Sequence, residues 1–392
     1  MKKLYLILIA IFTISFANAQ WQIANNSLAN VMIKSIVIKN TYIFAGTYGG
    51  GVSLTTNKGN TWSTMNTGLT NWDVTSLALN GNSLFAGTDI GVFLSIDNGN
   101  SWTPLNNGIP AYTPILSLAI SDTNIFAGTN GQGVFLSSNN GSSWTMVNSG
   151  LVNLNIITLA TRGNTIFAGT LGSGVCRSID NGNNWTLVNT GIPDTTVESL
   201  ALKGDTIIAG AHGYGLYIST NNGNSWNAVN TGLSTTYFWI RAIAIKDNNI
   251  FVGFYQGDGV YLSNNNGASW NNINTGLTNS FIWTFAFDEL NIYAGTGYGV
   301  WKRPISDFEG IEENILNNNI SICPNPTSNN LTIETNINKE TKLEITNLLG
   351  QTLYTSYIYS KATIDVSAFA KGIYILKLNT DKGIIVKKFV KE

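Results

Sequence analysis

Short apolar stretches separated by Gly, Asn and Ser clusters dominate the chain between residues 21 and 303. In one representative unit the pattern predicts strands over residues 74–79, 83–87, 91–95 and 102–105, each bounded by Gly or Asn turns. The apolar positions do not show the spacing of an amphipathic helix. Beyond residue 320 a second series of strand-like segments follows, over 331–334, 342–346, 351–354, 363–366, 373–378 and 384–390. Alternation in Leu343-Glu-Ile345 and in Tyr374-Ile-Leu-Lys-Leu378 predicts a small β-sandwich there.

Self-similarity turns the first series into an architecture. A Gly at the end of an apolar strand recurs at Gly46, Gly87, Gly128, Gly169, Gly210, Gly253 and Gly295, at spacings of 41, 41, 41, 41, 43 and 42. Trp21, Trp62, Trp102, Trp144, Trp185, Trp226 and Trp270 run in parallel. Four short strands per period of about 40 residues is the signature of a propeller blade, and two series of seven predict seven blades. The first Trp sits in a fourth-strand segment that arrives before any first strand. The last unit stops after its third strand, at Arg303. Docking residues 21–26 onto the last blade completes it, whereas an open array leaves a blade edge unpaired. The expected fold is therefore all-β: a closed seven-bladed β-propeller with non-covalent ring closure, followed by an Ig-like β-sandwich.

At the N-terminus, basic Lys2 and Lys3 precede an apolar run from Leu4 to Phe16 and a small-x-small Ala17-Asn18-Ala19. This predicts a signal peptide over residues 1–19, too short in its apolar core to span a bilayer comfortably. The full division reads 1–19 signal peptide, 20–303 propeller, 304–319 acidic linker and 320–392 C-terminal domain.

Composition narrows the function. Charged residues make up 11% of the chain and 40 residues are Gly, with a formal net charge of −1. That balance argues against a nucleic-acid partner, which calls for a basic surplus. It hides an asymmetry, since residues 20–303 hold 10 Lys+Arg against 12 Asp+Glu and residues 320–392 hold 9 against 6. Cys176 and Cys323 fall in different domains, so two small buried thiols are expected rather than a bridge.

Between the third and fourth strands of six units lies a fixed octapeptide. Its fullest copies are Ser95-Ile-Asp97-Asn-Gly99-Asn-Ser101-Trp102 and Ser178-Ile-Asp180-Asn-Gly182-Asn-Asn-Trp185. Asn57, Asn139, Asn221 and Asn265 replace the Asp in the other four. A short carboxylate or amide can accept backbone N–H groups across such a turn, Gly supplies a positive φ, and the Trp has a large face to bury against its own blade or the next. The octapeptide resembles the Asp-box (BNR) repeat of sialidases, sortilin-type receptors, xyloglucanases and photosystem assembly factors. The resemblance covers residues 21–303 and implies that the motif is structural and lies away from the ligand face. Four neutral copies out of six speak against carboxylate or metal chemistry, and no metal or cofactor is expected.

Propellers usually act through the loops joining second to third strands and one blade to the next. In this chain those loops are short, with aromatics facing Gly, and they nominate Trp72, Asp73, Tyr112, His212, Tyr214, Trp239, Tyr255, Asp258, Trp283 and Tyr298 as ligand-binding candidates. Such rings can stack on sugars or protein side chains, or simply cap blade ends. A sialidase-type site needs three converging Arg and a Tyr–Glu pair. The propeller holds Arg162, Arg177, Arg241 and Arg303, with Glu198 and Glu289 as its Glu residues, so the counts speak against it. A xyloglucanase-like hydrolase needs two carboxylates across a cleft, and Asp73, Asp89, Asp194 and Asp258 are available. The related enzymes use two propellers and long loops, so no catalytic residue is assigned.

In the C-terminal domain Pro324-Asn325-Pro326 comes first, then Leu343-Glu-Ile-Thr-Asn-Leu-Leu-Gly350-Gln351. Gly372-Ile-Tyr-Ile-Leu-Lys377 and a tail containing Lys387 and Lys388 complete the series. The order resembles the type A sorting domain of the Bacteroidetes type IX secretion system. It implies that machinery as a partner, passage across the outer membrane, removal of the domain, and attachment to the cell surface or release. The expected function is an exported propeller that binds a glycan or protein through its loop face, with room for peripheral association with the outer-membrane surface. A glycoside hydrolase and a structural or adhesion component of the envelope are the alternatives.

Overall fold

The computed structural model describes residues 20–28, 31–193, 195–233, 238–308, 320–337, 339–348, 350–380 and 383–392. The signal peptide read over residues 1–19, the linker residues 309–319 and Asp194 lie outside them. The chain divides into two compact units, Met1–Phe308 and Glu309–Glu392. No helix among the described residues is long and apolar enough to cross a membrane.

Among the described residues the first unit holds seven four-stranded antiparallel sheets. In the second blade the strands are Val74–Asn80, Ser83–Thr88, Gly91–Ser95 and Thr103–Pro104, paired in chain order. The fourth strand is shorter than its hydrophobic pattern predicts because Trp102 is engaged elsewhere. Its backbone N–H donates to Thr67 O of the first blade at 2.9 Å. Each blade buries its second strand on both faces. Phe85 and Ala86 are fully buried, and the apolar clusters join adjacent blades, as where Phe44 and Val52 meet Val74, Leu77 and Phe93. The recurring Gly is needed for that packing: a Cβ on Gly87 would fall 2.7 Å from Ile115 Cγ2 of the next blade.

The ring closes as the strand count requires. Gln22–Ile23 pairs antiparallel with Gly299–Pro304, giving the last blade its fourth strand. Seven indole N–H groups tie each blade to the one before it. Trp62, Trp102, Trp144, Trp185, Trp226 and Trp270 donate to Ala24 O, Met65 O, Leu105 O, Val147 O, Val188 O and Val229 O at 2.7–2.8 Å. Trp21 completes the circuit on Ile273 O at 2.8 Å. After Pro304 a short 3-10 turn, Ile305–Asp307, follows, and Ile305 and Phe308 are buried in the first unit.

The octapeptide turns are self-contained. Asp97 Oδ1 accepts from Ser101 N at 2.9 Å and from Ser95 Oγ at 2.8 Å, while Ser95 Oγ accepts from Gly99 N at 2.7 Å. Asn139 repeats the pattern through Ser143 N and Ser137 Oγ, both at 2.9 Å. Amide and carboxylate are interchangeable because the oxygen facing the backbone N–H is common to both. These hydrogen bonds favour the ionised Asp97 and Asp180, whose carboxyls lie below their ordinary range.

The second unit is a sandwich of two antiparallel sheets. One contains Ile320–Cys323, Asn330–Thr335 and Lys361–Asp365. The other orders Thr352–Ile358, Thr341–Asn347, Gly372–Thr380 and Gly383–Lys391. Leu331, Ile333, Leu343, Ile345, Leu376, Leu378 and Phe389 fill the core between them. The strand at 320–323 is absent from the hydrophobic reading because only Ile320 and Ile322 alternate inward before Pro324. For the same reason the expectation of two buried thiols fails: Cys323 falls on the outward side of that strand and is exposed, whereas Cys176 is buried, and both are free.

Candidate functional site at the channel mouth

The first strand of every blade lines a central cavity of about 450 Å³, and each carries the same irregularity. In the first blade Ile33 pairs with Thr47 and Ser35 with Gly46, so Lys34 is an extra, unpaired residue. Equivalent register shifts fall at Thr75, Leu116, Ile157, Glu198, Arg241 and Trp283. Such bulges re-aim a side chain away from the ladder, and all seven of these residues line the cavity. The bulges lie at the strand ends that adjoin the second-to-third and blade-to-blade loops, opposite the octapeptide turns. One end of the channel therefore has a rim made of one free residue per blade. Leu116 and Ile157 make one side apolar. Glu198, Arg241, Trp283, Lys34 and Thr75, in successive blades around the closed ring, make the rest polar, with charged, aromatic and hydroxyl side chains.

Glu198 is the anchor of the charged side. Its side chain is only 6% exposed, with Oε1 3.2 Å from His212 Nδ1 and Oε2 3.2 Å from Arg241 Nη1. The Arg241 guanidinium also lies 4.9 Å from the Trp283 ring, 5.4 Å from Trp239 and 5.7 Å from Tyr255. A ladder of rings runs beside it, His212–Trp239 at 4.7 Å, Trp239–Tyr255 at 4.4 Å and Tyr255–Trp283 at 4.9 Å between centroids. Lys34 Nζ sits 3.2 Å over Trp283 and 5.8 Å from Tyr48. The indole of Trp283 is thus within cation–π range of two cations. Burial, with repulsion from Arg241, brings Lys34 down to about 8, against the pull of Asp89 and Asp73. The Asp89 carboxyl is pushed up by burial and by Asp73, with Lys34 opposing.

Four of the ten nominated residues, His212, Trp239, Tyr255 and Trp283, converge on this cluster, and Asp73 reaches it electrostatically. Trp72, Tyr112, Tyr214 and Tyr298 stand exposed on loops at the same end of the ring. Trp72 Nε1 donates to Leu69 O at 3.2 Å, and Tyr112 occupies a left-handed turn position, φ 59°. Asp258 contributes its backbone carbonyl to Asn274 Nδ2 at 2.7 Å rather than a carboxylate to the cluster. Lys34, Glu198 and Arg241 sit inside strands, as Trp283 does, and escape a reading that nominated loop aromatics and loop carboxylates. Their signal is the repeat itself, since they occupy one register column. Among the described residues no three His, Cys, Asp or Glu side chains gather as a metal site would require.

In the second unit the Pro324–Pro326 segment runs along the last strand. Asn325 Oδ1 accepts from Val390 N at 2.9 Å and its Nδ2 donates to Lys388 O at 3.2 Å. Thr327 N donates to Val390 O at 2.9 Å. Gly350, at φ 81°, closes the turn after Thr341–Asn347, Gly372 opens the strand Gly372–Thr380, and Lys387 and Lys388 pair with Leu376 and Ile375. Residues 321–392 match the family of secretion system C-terminal sorting domains. Among solved structures the chain is similar to PorZ, an essential bacterial surface component of the type-IX secretion system of Porphyromonas gingivalis. The two are 16% identical with a TM-score of 0.59, covering 92% of this chain and 59% of that one. This chain is a type IX-sorted β-propeller.

The sorted propeller is also similar in fold to two other solved structures. One is an ancestral GH74 enzyme, at 18% identity and TM-score 0.61, covering 94% of this chain and 54% of that one. The other is YCF48 from Cyanidioschyzon merolae, at 15% identity and TM-score 0.55, covering 73% and 98%. The chain spans about half to three-fifths of the length of PorZ and of the GH74 enzyme. No curated protein matches it in sequence. Its tail routes it by type IX secretion to the cell surface or beyond, so the mouth of the channel is presented outside the cell.

Proposed function

We propose that the sorted propeller is a binding module that engages a glycan through the face around its channel mouth, with a protein ligand as the variant of the same reading. The ladder from His212 to Trp283 carries it. Rings held in a row of edge-to-face and tilted contacts, with Tyr48, Trp72, Tyr214 and Tyr298 exposed at the same end, offer flat apolar surface beside charged donors. Sugars present that mixture of C–H faces and hydroxyls. Ring contacts of this kind each contribute about 0.5–1.5 kcal/mol beyond area burial, so a row of four adds roughly 2–6 kcal/mol to what burial of the sugar face supplies. Glu198 does not read as a general acid or base, because both its oxygens are committed to Arg241 and His212.

A second reading, glycoside hydrolysis, is favoured by one observation: burial and the neighbouring Asp73 push the Asp89 carboxyl up, and a pair of carboxyls with one of them raised is what such enzymes use. The likeness in fold to the GH74 xyloglucanase from Xanthomonas campestris makes xyloglucan oligosaccharides an early probe. Screening the mature protein on a glycan array, with reducing-sugar release assayed on each positive, separates the readings. Binding without release supports the module, and release supports the enzyme. Silence in both assays overturns the glycan form of the module and the enzyme, and leaves the protein-ligand variant or a structural role.

A further inference from the structure

We infer that the channel mouth recognises a carboxylate-bearing sugar, with the acid group seated between Lys34 and Arg241 at Trp283. The inference rests on the glycan-binding reading and names the class of glycan. Its first support is the polarity of what is left unpaired. Among the described residues the buried side-chain polar atoms without a hydrogen-bond partner are all nitrogens, one of which, Arg162 Nη1, still has Asp205 Oδ1 at 3.1 Å. Three of them, Arg241 Nε, Trp239 Nε1 and Trp283 Nε1, belong to the one cluster at the mouth. Buried donors are almost always satisfied in native proteins, and a set that lacks acceptors alone calls for a group that accepts without donating. A carboxylate does this, whereas a sugar hydroxyl brings a donor of its own.

The second support is charge placement. Lys34 and Arg241 lie over the same indole, 3.2 Å and 4.9 Å from its centre, and like charges so arranged repel. The three carboxylates nearby do not remove the repulsion. Glu198 is committed to Arg241 and His212, and the pull of Asp89 and Asp73 on Lys34 does not offset its burial and the repulsion from Arg241. An anion between the two cations relieves both at once with charge-assisted hydrogen bonds. The same carboxylates set the size of the charge, since a dianion such as a phosphate monoester meets more repulsion from Asp73 and Asp89 than a monoanion does. The unpaired nitrogens lie beneath the surface, so the acid group reaches them as the long, rotatable Lys34 and Arg241 side chains shift.

The third support is what surrounds the charge. Tyr48, Tyr255 and Trp283 flank the seat, and a pyranose ring attached to the carboxylate can stack there. A free inorganic anion gains nothing from these rings.

Calorimetry on the full mature protein tests this with oligogalacturonate and its methyl ester, which share a backbone and differ in charge, beside neutral xyloglucan oligosaccharides. The acid form is expected to bind roughly tenfold tighter than the ester, the gain of about one charge-assisted hydrogen bond. Lys34→Gln is expected to abolish that preference, so that acid and ester bind alike, and the thermal melt shows whether the variant is folded. Glucuronate oligomers extend the panel if galacturonate geometry is excluded. Equal binding of acid and ester, or a preference that survives Lys34→Gln, overturns the inference and leaves the glycan reading intact. Failure of every acidic probe also overturns it. If neutral glycans fail as well, the glycan reading falls with it.

Discussion

Trp21 donates its indole N–H to the backbone carbonyl of Ile273, 252 positions along the chain, at 2.8 Å. The same bond links every adjacent pair of blades, but here it also holds the closing strand, which offers just two ladder residues, Gln22 and Ile23. Truncating a buried Trp to Ala costs about 3–5 kcal/mol. Trp21→Ala is expected to lose at least as much as Trp102→Ala, because it also frees the terminal strand. Urea unfolding of both variants checks this, and a clearly milder Trp21→Ala would mean that the ring does not depend on its closure.

The octapeptide carboxylates make stability depend on acid. Hydrogen bonds hold Asp97 and Asp180 below their ordinary value of 3.8. The unfolded chain therefore binds their protons first, and their contribution is present above about pH 4 and fades as pH falls through the depressed values. Asp97→Asn/Asp180→Asn is expected to melt with a shallower dependence between pH 4 and 2.5 than the parent. Parallel melting curves that stay offset by a constant amount would contradict this.

Lys34 should titrate near pH 8. Its amine is brought down from 10.5, so between pH 8 and 10.5 the unfolded chain holds a proton that the folded one has released. Stability relative to Lys34→Gln is then expected to rise with pH across that window. Reductive ¹³C-methylation followed by NMR offers a direct check, with one lysine signal moving near pH 8 and missing from the variant.

Glu198 supports the mouth from below. Glu198→Ala leaves Arg241 and His212 without their shared carboxylate. A fully buried pair broken in this way costs about 3–5 kcal/mol. Arg241 keeps 27% exposure, so about 2–3 kcal/mol is expected, with a smaller loss for Glu198→Gln, which preserves the shape. Chemical denaturation ranks the two, and an Ala variant as stable as the parent would show that the cluster is held by its rings alone.

The two thiols should differ sharply in reactivity. Burial pushes the Cys176 thiol up, while Cys323 faces outward. One equivalent of thiol reagent is expected to react in native buffer and two in denaturant. Labelling of both in the native state would mean that the fourth blade opens readily.

The ring, its closure and its blade count were legible in the sequence because each depends on a residue that repeats: Gly87 and its equivalents for blade packing, Trp102 and its equivalents for blade bonding. The sandwich was legible apart from Ile320–Cys323, where a short strand ending at a proline leaves too little alternation to read. Of the mouth, His212, Trp239, Tyr255 and Trp283 were found from loop composition, but Lys34, Glu198 and Arg241 were not. Alignment on the conserved positions hides them, since a bulged residue is by nature the one that does not repeat. Comparing the units at the position before Ser35, Ser76, Ser117, Thr158 and Ser199 would have exposed the column.

That column separates scaffold from address. A bulged residue makes no ladder bond, so exchanging Lys34, Thr75, Leu116, Ile157, Glu198, Arg241 or Trp283 leaves the pairing on either side of it unchanged. Apart from Glu198, which braces Arg241 and His212, these sites, 41 to 43 residues apart, can therefore be rewritten with the ladders intact. A lineage that duplicates this gene can change what the ring recognises without having to rebuild the ring.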